Sequence, residues 1–183
     1  MKKILLVVDY QNDFVDGTLG FPAAVSLDDG IAALVNEFSA AGEFIAYTMD
    51  THEQDYLKTR EGKALPVEHC IAITDGWKLY GKTAEALEAA NALQVQKRSF
   101  GINPSVFALY GHTNNPFPDE DEVSEVHIVG VVTNICVVSN AVIFQAQYPE
   151  AQIVVHSGLC ASFDPDLHNK TLDVLKGLQV KII

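Results

Sequence analysis

Three side chains able to take part in covalent chemistry stand where apolar runs give way to polar chain. Cys136 closes the segment Gly130-Val131-Val132-Thr133-Asn134-Ile135-Cys136, which leaves an apolar run and opens a helical pattern. The first N–H groups of a helix favour an anion, so a cysteine placed there is expected to carry a stabilised thiolate. The plainer alternative is a small buried core residue, the commonest fate of a free cysteine. Asp9 interrupts Ile4-Leu5-Leu6-Val7-Val8. A carboxylate at a buried strand end is costly unless paired; the plainer alternative is a turn or cap within Asp9-Tyr10-Gln11-Asn12-Asp13. Lys97 follows a third apolar run, and its neighbour Arg98 makes a surface lysine the competing reading. A nucleophile, a proton acceptor and a cation together form a set suited to acyl transfer.

A second group lies in the polar stretch 50–75. Asp50-Thr51-His52 places two potential ligands on one side of an extended segment, because side chains alternate along it. Glu61 and His69 follow. Carboxylate oxygens and imidazole nitrogens suit Zn²⁺, Mn²⁺ or Fe²⁺ without choosing sharply among them. A solvated acidic loop is the competing reading, although a loop this long in a compact domain is usually functional.

Elements must bring these groups together. Residues 4–8, 44–48, 93–96, 126–131, 153–156 and 180–183 read as strands, several of them continuous apolar runs typical of strands buried on both faces. Residues 27–41, 83–92, 104–109, 133–147 and 165–176 read as helices. Ile31, Leu34, Val35 and Phe38 form the apolar stripe of the first, which Gly42 stops. A polar, Pro-containing loop runs on to about residue 122. Strands alternating with helices imply a parallel sheet with helices on both faces. In such sheets reactive groups gather at the carboxyl ends of strands, near the point where strand order reverses. Asp9, Asp50, Lys97 and the Cys136 segment all fit that rule.

Composition sets the outer limits. The 183 residues are 48% hydrophobic and 20% charged, with a formal net charge of -12. That size suits one domain spanning 1–183 with a single large core. The acidity argues against nucleic acid, which needs a clustered Lys/Arg surface, and against anionic membrane. No apolar stretch approaches the roughly 20 residues of a membrane span. The N-terminal apolar run is too short for a signal peptide. The three cysteines give no complete disulfide framework or CxxC pair, so a cytoplasmic compartment is expected, where a free thiol stays reactive. Cys70 and Cys160 are expected to be structural. A small-molecule partner is expected, and a homo-oligomer is an assembly the sequence leaves open.

Taken together, the segments resemble the isochorismatase-like cysteine hydrolases, and within them the nicotinamidases, along the whole chain. Val7-Val8-Asp9-Tyr10-Gln11-Asn12-Asp13-Phe14 looks like the family's first signature, Gly130-Val-Val-Thr-Asn-Ile-Cys136-Val137 like the signature around the nucleophile, and Lys97 stands where a catalytic lysine follows strand three. The resemblance implies a three-layer α/β/α sandwich whose six-stranded parallel sheet has the order 3-2-1-4-5-6. That order would set strands one and four side by side, so that Asp9 and Cys136 meet. It also implies a cis peptide between Val131 and Val132, and an oxyanion hole from the N–H groups of Val132 and Cys136. One divalent ion is implied on Asp50, His52, Glu61 and His69, zinc first, with manganese or iron as alternatives. Asp55 and Glu68 stand close enough in sequence to take the place of Glu61. Phe14 and Phe100 would flank the substrate ring, against a reading of both as ordinary core. His69-Cys-Ile-Ala-Ile-Thr74-Asp-Gly76-Trp-Lys-Leu79 resembles the usual stretch after the last ligand, but Ile73 stands where glycine is usual and Asn134 where aspartate is common.

The activity so implied is hydrolysis of a linear carboxamide, with nicotinamide as substrate, through a thioester on Cys136. Another amide or carbamoyl hydrolase of the same family is the alternative. A non-catalytic, flavodoxin-like binding module would leave Asp9, Lys97 and Cys136 as coincidences. Isochorismate cleavage is disfavoured, since the family's enzymes for that reaction lack the cysteine.

Overall fold

A computed structural model describes residues 1–108 and 117–183. In chain order the main elements are β1 (Lys2–Val8), α1 (Asn12–Val15), α2 (Pro22–Val25), α3 (Asp28–Ala40), β2 (Phe44–Asp50), α4 (Arg60–Ala64), α5 (Gly81–Ala89), β3 (Leu93–Lys97), α6 (Ser105–Ala108), β4 (Val123–Val131), α7 (Val138–Gln147), β5 (Gln152–Ala161), α8 (Pro165–Gly177) and β6 (Lys181–Ile182). The six strands are all parallel, in the order β3-β2-β1-β4-β5-β6. The expected sheet, strand order and helical layers are therefore present.

Both faces of the sheet are covered, which is why β1 reads as an unbroken apolar run rather than an alternating one. On one face Ile4, Leu6, Val126 and Ile128 pack with Phe144 of α7 and Leu172 and Leu175 of α8. On the other, Leu5, Val7 and Val129 pack with Ile31, Val35 and Phe38 of α3. Helix α8 is started by Asp164, whose side chain accepts from the N–H groups of Asp166 and Leu167, with Pro165 in the first turn, as the cap chemistry favours.

Several boundaries differ from the sequence expectation. β2 and β3 run on through Asp50 and Lys97, so these residues end their strands rather than follow them, while Asp9 lies one residue past β1. Polar strand ends hide from a hydrophobicity pattern. Strand β5 extends to Ala161, far past the expected residue 156, because its polar His-Ser-Gly stretch masks the continuation. The stretch 50–75 is not an irregular loop: it holds a 3₁₀ turn, Tyr56–Lys58, and α4. These pieces are too short to show periodicity. The expected helix 133–147 opens with a π-helical turn, Thr133–Val137, before α7. The expected helix 104–109 is seen as α6; residue 109 and most of the following polar loop fall outside the described residues.

Candidate active site

The carboxyl ends of β1, β2 and β4 lie side by side in the middle of the sheet, where the order departs from β1 in both directions, and edge strand β3 ends beside β2. Asp9, immediately after β1, has φ of 45°, a left-handed conformation that aspartate tolerates better than most residues. Thr48 of β2 holds it there. The Thr48 hydroxyl donates to Asp9 Oδ1 at 2.6 Å and accepts from the Asp9 N–H at 3.1 Å. Gly130 has φ of 112°, and a Cβ there would fall 2.2 Å from the Val8 carbonyl oxygen. Glycine thus lets β4 close on β1 just before the chain turns toward Cys136. The Val131–Val132 peptide is cis, as expected.

Lys97 is the hub. Its ammonium lies 2.7 Å from Asp9 Oδ2, 3.3 Å from Asp50 Oδ1 and 3.6 Å from Cys136 Sγ, and it donates to the Ser99 carbonyl at 3.0 Å. The Lys97 and Asp9 side chains are wholly buried, which excludes the surface-lysine reading. A buried charge persists only when paired, and the two carboxylates raise the Lys97 pKa against the pull of burial. Burial pushes Asp9 above the usual carboxylate range despite the neighbouring ammonium. Asp50 is held below that range, the charge of Lys97 and the His52 hydrogen bond outweighing burial.

Cys136 corrects one expectation. Burial pushes its thiol well above the ordinary value, more than Lys97 lowers it, and the carboxylates of Asp9 and Asp50 add to the rise. The π-helical turn does not leave a resting thiolate; the arrangement is a neutral thiol beside a charged carboxylate–ammonium pair. Cys70 and Cys160 are free and buried, as expected of structural residues.

The second group is equally compact. Ligand atoms of Asp50, His52, Glu61 and His69 all lie within 4.8 Å of one another. Local folding explains this. His52 N–H donates to the Cys70 carbonyl and Ala72 N–H to the His52 carbonyl, a parallel bridge that returns His69 beside His52. Thr59 caps α4 by accepting from the Gly62 N–H at 2.9 Å, fixing Glu61 in the first turn. Gln11, fully buried, clamps the Asp50 backbone: its Nε2 donates to the Asp50 carbonyl at 3.0 Å and its Oε1 accepts from the Asp50 N–H at 2.8 Å. Tyr56 packs against both imidazoles and Phe14 against His69.

This donor set fits a divalent ion. His52 Nε2 lies 3.1 Å from Asp50 Oδ2 and 3.7 Å from Glu61 Oε1; His69 Nε2 lies 3.7 and 3.9 Å from the same atoms. Four ligands at about 2.0–2.2 Å around one ion would stand roughly 3.3–3.6 Å apart. The Val67 carbonyl only accepts, so His69 Nδ1, 2.8 Å away, carries the proton and Nε2 presents its lone pair. The Asp50 Oδ1 and Asp9 Oδ2 oxygens make no hydrogen bond among the described residues beyond their ion-pair contacts to Lys97. Asp55 lines an outer cleft with His52 and Glu61 but is not in the ligand group, and neither is Glu68.

Members of both groups line one cavity of about 350 Å³. Cys136, Val132, Asp50, Glu61 and His69 contribute to its wall. The two phenylalanines singled out in the sequence, Phe14 and Phe100, also line it. Sequence reasoning missed Leu19, Leu65, Ile135 and Phe163, which complete the apolar lining. Leu19, Leu65 and Phe163 are single apolar residues in turns or bends, with no pattern to mark them, and Ile135 lies in the π-helical turn just before Cys136. It missed Thr48 and Gln11 as well, whose partners lie on other strands.

Known proteins share the sequence pattern and the fold. The model of the isochorismatase domain matches residues 3–183. The uncharacterized isochorismatase family protein PncA of Bacillus subtilis (strain 168) is 31% identical over 173 residues, 92% of this chain and 91% of that protein. The crystal structure of a pyrazinamidase/nicotinamidase from Streptococcus mutans UA159 superposes with a TM-score of 0.82 at 26% identity, covering all of both chains. A pyrazinamidase of Pyrococcus horikoshii, solved in complex with zinc, shares the fold at 22% identity with a TM-score of 0.79, covering 100% of this chain and 99% of that one. From its sheet order to its domain match, this chain belongs to the isochorismatase family.

Proposed function

We propose that this protein, an amidohydrolase of the isochorismatase family, is a nicotinamidase that hydrolyses nicotinamide to nicotinic acid and ammonia. One observation carries the reading: the Cys136 thiol, held beside the Asp9–Lys97 pair, shares the wall of one mostly apolar cavity with Asp50, Glu61 and His69 of the metal group. The cavity's volume and mostly apolar lining, with a few polar groups, suit a flat, mostly apolar ring bearing one polar arm. The similarity to the Streptococcus mutans enzyme supports the same reaction class.

In this mechanism the neutral Cys136 thiol gives its proton to Asp9 as sulfur attacks the amide carbon. Asp9, raised by burial, is a stronger base than an exposed carboxylate. Lys97 stays protonated and balances the negative charge passed between sulfur and Asp9. The N–H groups of Val132 and Cys136 serve the developing oxyanion; donors of this kind are worth about 3–4 kcal/mol each. Asp9 returns the proton to nitrogen, the C–N bond breaks, ammonia leaves, and a thioester remains on Cys136. A water, losing its proton to Asp9, then attacks the thioester and releases the acid and the thiol. Asp50, His52, Glu61 and His69 would hold a divalent ion, zinc by preference, which would supply a Lewis acid suited to anchoring the pyridine nitrogen. Phe14 and Phe100 flank the ring.

The direct test is ammonia release by the purified protein from nicotinamide, set beside a carbamoyl compound lacking a ring nitrogen. Release from nicotinamide alone is expected. Turnover of the carbamoyl compound without any from nicotinamide would reassign the substrate within the family.

A further inference from the structure

The loop between Lys97 and α6 carries Phe100 on the cavity wall, and one buried side chain ties that loop to the nucleophile. Asn140 of α7 is fully buried. Its Oδ1 accepts from the Ile102 N–H at 3.0 Å, and its Nδ2 donates to the Phe100 carbonyl at 3.3 Å. The same Nδ2 donates to the Cys136 carbonyl, one helical turn back, at 2.8 Å. The two loop bonds straddle Gly101, where a Cβ would fall 2.4 Å from Ile143 Cδ1 of α7, so the loop lies close against that helix. The loop also supplies the Ser99 carbonyl that accepts from Lys97.

We propose that Asn140 is a positioning and specificity-determining residue that fixes the distance between Cys136 and the Phe100 wall, and so the place of the substrate ring relative to the sulfur. The sequence gives no hint of this: Asn140 stands in Val-Val-Ser-Asn-Ala-Val as one polar residue on a helix. Its cost of burial is met because all three of its bonds are satisfied, and a fully satisfied amide rigidifies what it joins. The catalytic groups do not depend on it for charge. Its loss should therefore weaken ring binding more than it slows bond breaking.

The inference rests on the nicotinamidase reading for its kinetic test but not for its structural one. Asn140→Ser is the informative variant. A serine hydroxyl on a helix can still donate to the carbonyl four residues back, so the Cys136 bond is kept while both loop bonds are lost. Asn140→Ala serves as a second, harsher variant. Hydrogen exchange at the Ile102 amide reads the tether without any substrate: protection should fall at least about tenfold in Asn140→Ser, the scale of one lost hydrogen bond. Unchanged protection would overturn the tether. With nicotinamide, KM should rise roughly tenfold while kcat stays within about threefold. In a Phe100→Ala background the same substitution should change KM by less than about twofold, because the wall it positions is gone. A fall in kcat at constant KM, or an equal rise in KM without Phe100, would show that Asn140 serves the nucleophile turn or the fold instead. If the wild-type protein fails to release ammonia from nicotinamide, the functional reading fails, and the Ile102 exchange still decides whether Asn140 holds the loop.

Discussion

The sheet carries two clusters of titratable side chains, and the contrast between them separates a reactive site from a structural one. At the carboxyl ends, Asp9, Asp50, Lys97 and Cys136 are all buried, with two carboxylate oxygens satisfied only by a shared ammonium. Nearer the amino ends, His127 on β4 contacts His156 of β5 at 2.8 Å and Glu125 at 3.0 Å, and Glu125 pairs with Lys3 at 2.6 Å. There every charge has a partner, Phe38 covers His127, and exposed edges relieve the desolvation. Polar groups alone do not make a site. Incompletely satisfied groups facing a cavity do, because the remaining valence is offered to a ligand.

The contrast is broken most severely by removing the nucleophile. Cys136→Ala should lower turnover of an amide substrate by at least about 10³-fold, and Asp9→Asn or Lys97→Ala by at least about 10²-fold, while Glu125→Gln leaves it within about twofold. Steady-state ammonia release, with circular dichroism confirming the fold, measures this. Near-normal turnover in Asp9→Asn or Lys97→Ala would remove that residue from the mechanism.

The acidic residues of the two clusters should differ as metal ligands. Glu61→Gln should weaken Zn²⁺ binding by at least about 100-fold, beyond the 10–100-fold usual for outer-shell partners, whereas Glu125→Gln should not change it. Competition with a chromophoric chelator reads both. Equal affinity in the two variants would place the ion elsewhere.

A smaller effect is expected from the paired cluster. Burial and the neighbouring His127 lower the His156 pKa to about 4 from an ordinary 6.5. The unfolded chain therefore binds more protons between those values. Stability from neutral His156 is complete above about pH 6.5 and is lost as pH falls toward 4. Because His156 is only partly buried, the loss should be about 1–2 kcal/mol. His156→Gln should flatten the pH dependence of urea unfolding in that window. An unchanged slope would show that the histidine pair contributes nothing there.

Much of this was legible in the residues because the chemistry sits at strand ends. An aspartate after Ile-Leu-Leu-Val-Val, a lysine closing Leu93-Gln-Val-Gln, and a cysteine opening a helix after Val-Gly-Val-Val are each conspicuous. Asp-Thr-His sets two candidate ligands on one side of the chain through strand alternation. The supporting residues were not legible, since their roles exist only across the sheet. Thr48 looks like an ordinary strand threonine until β1 lies beside β2. Asn140 looks like a helix-surface amide until the Phe100 loop folds back on α7. Gln11 belongs to a turn until Asp50 is placed against it. The thiol misled for a related reason: a helix start argues for a thiolate, but the depth of burial that outweighs it is a tertiary property.

In the proposed function the triad and the metal group serve one cavity by separate means, the first by chemistry and the second by placing the substrate. Chelation followed by metal restoration tests it most directly, with ammonia release from nicotinamide, alkylation of Cys136 by iodoacetamide and circular dichroism followed on the same sample. Removing the ion should abolish hydrolysis and leave the fold and Cys136 alkylation largely intact, and one equivalent of Zn²⁺ per chain should restore turnover. Metal-free protein hydrolysing nicotinamide at full rate would contradict it, and so would a chelated protein that unfolds and loses both reactions together.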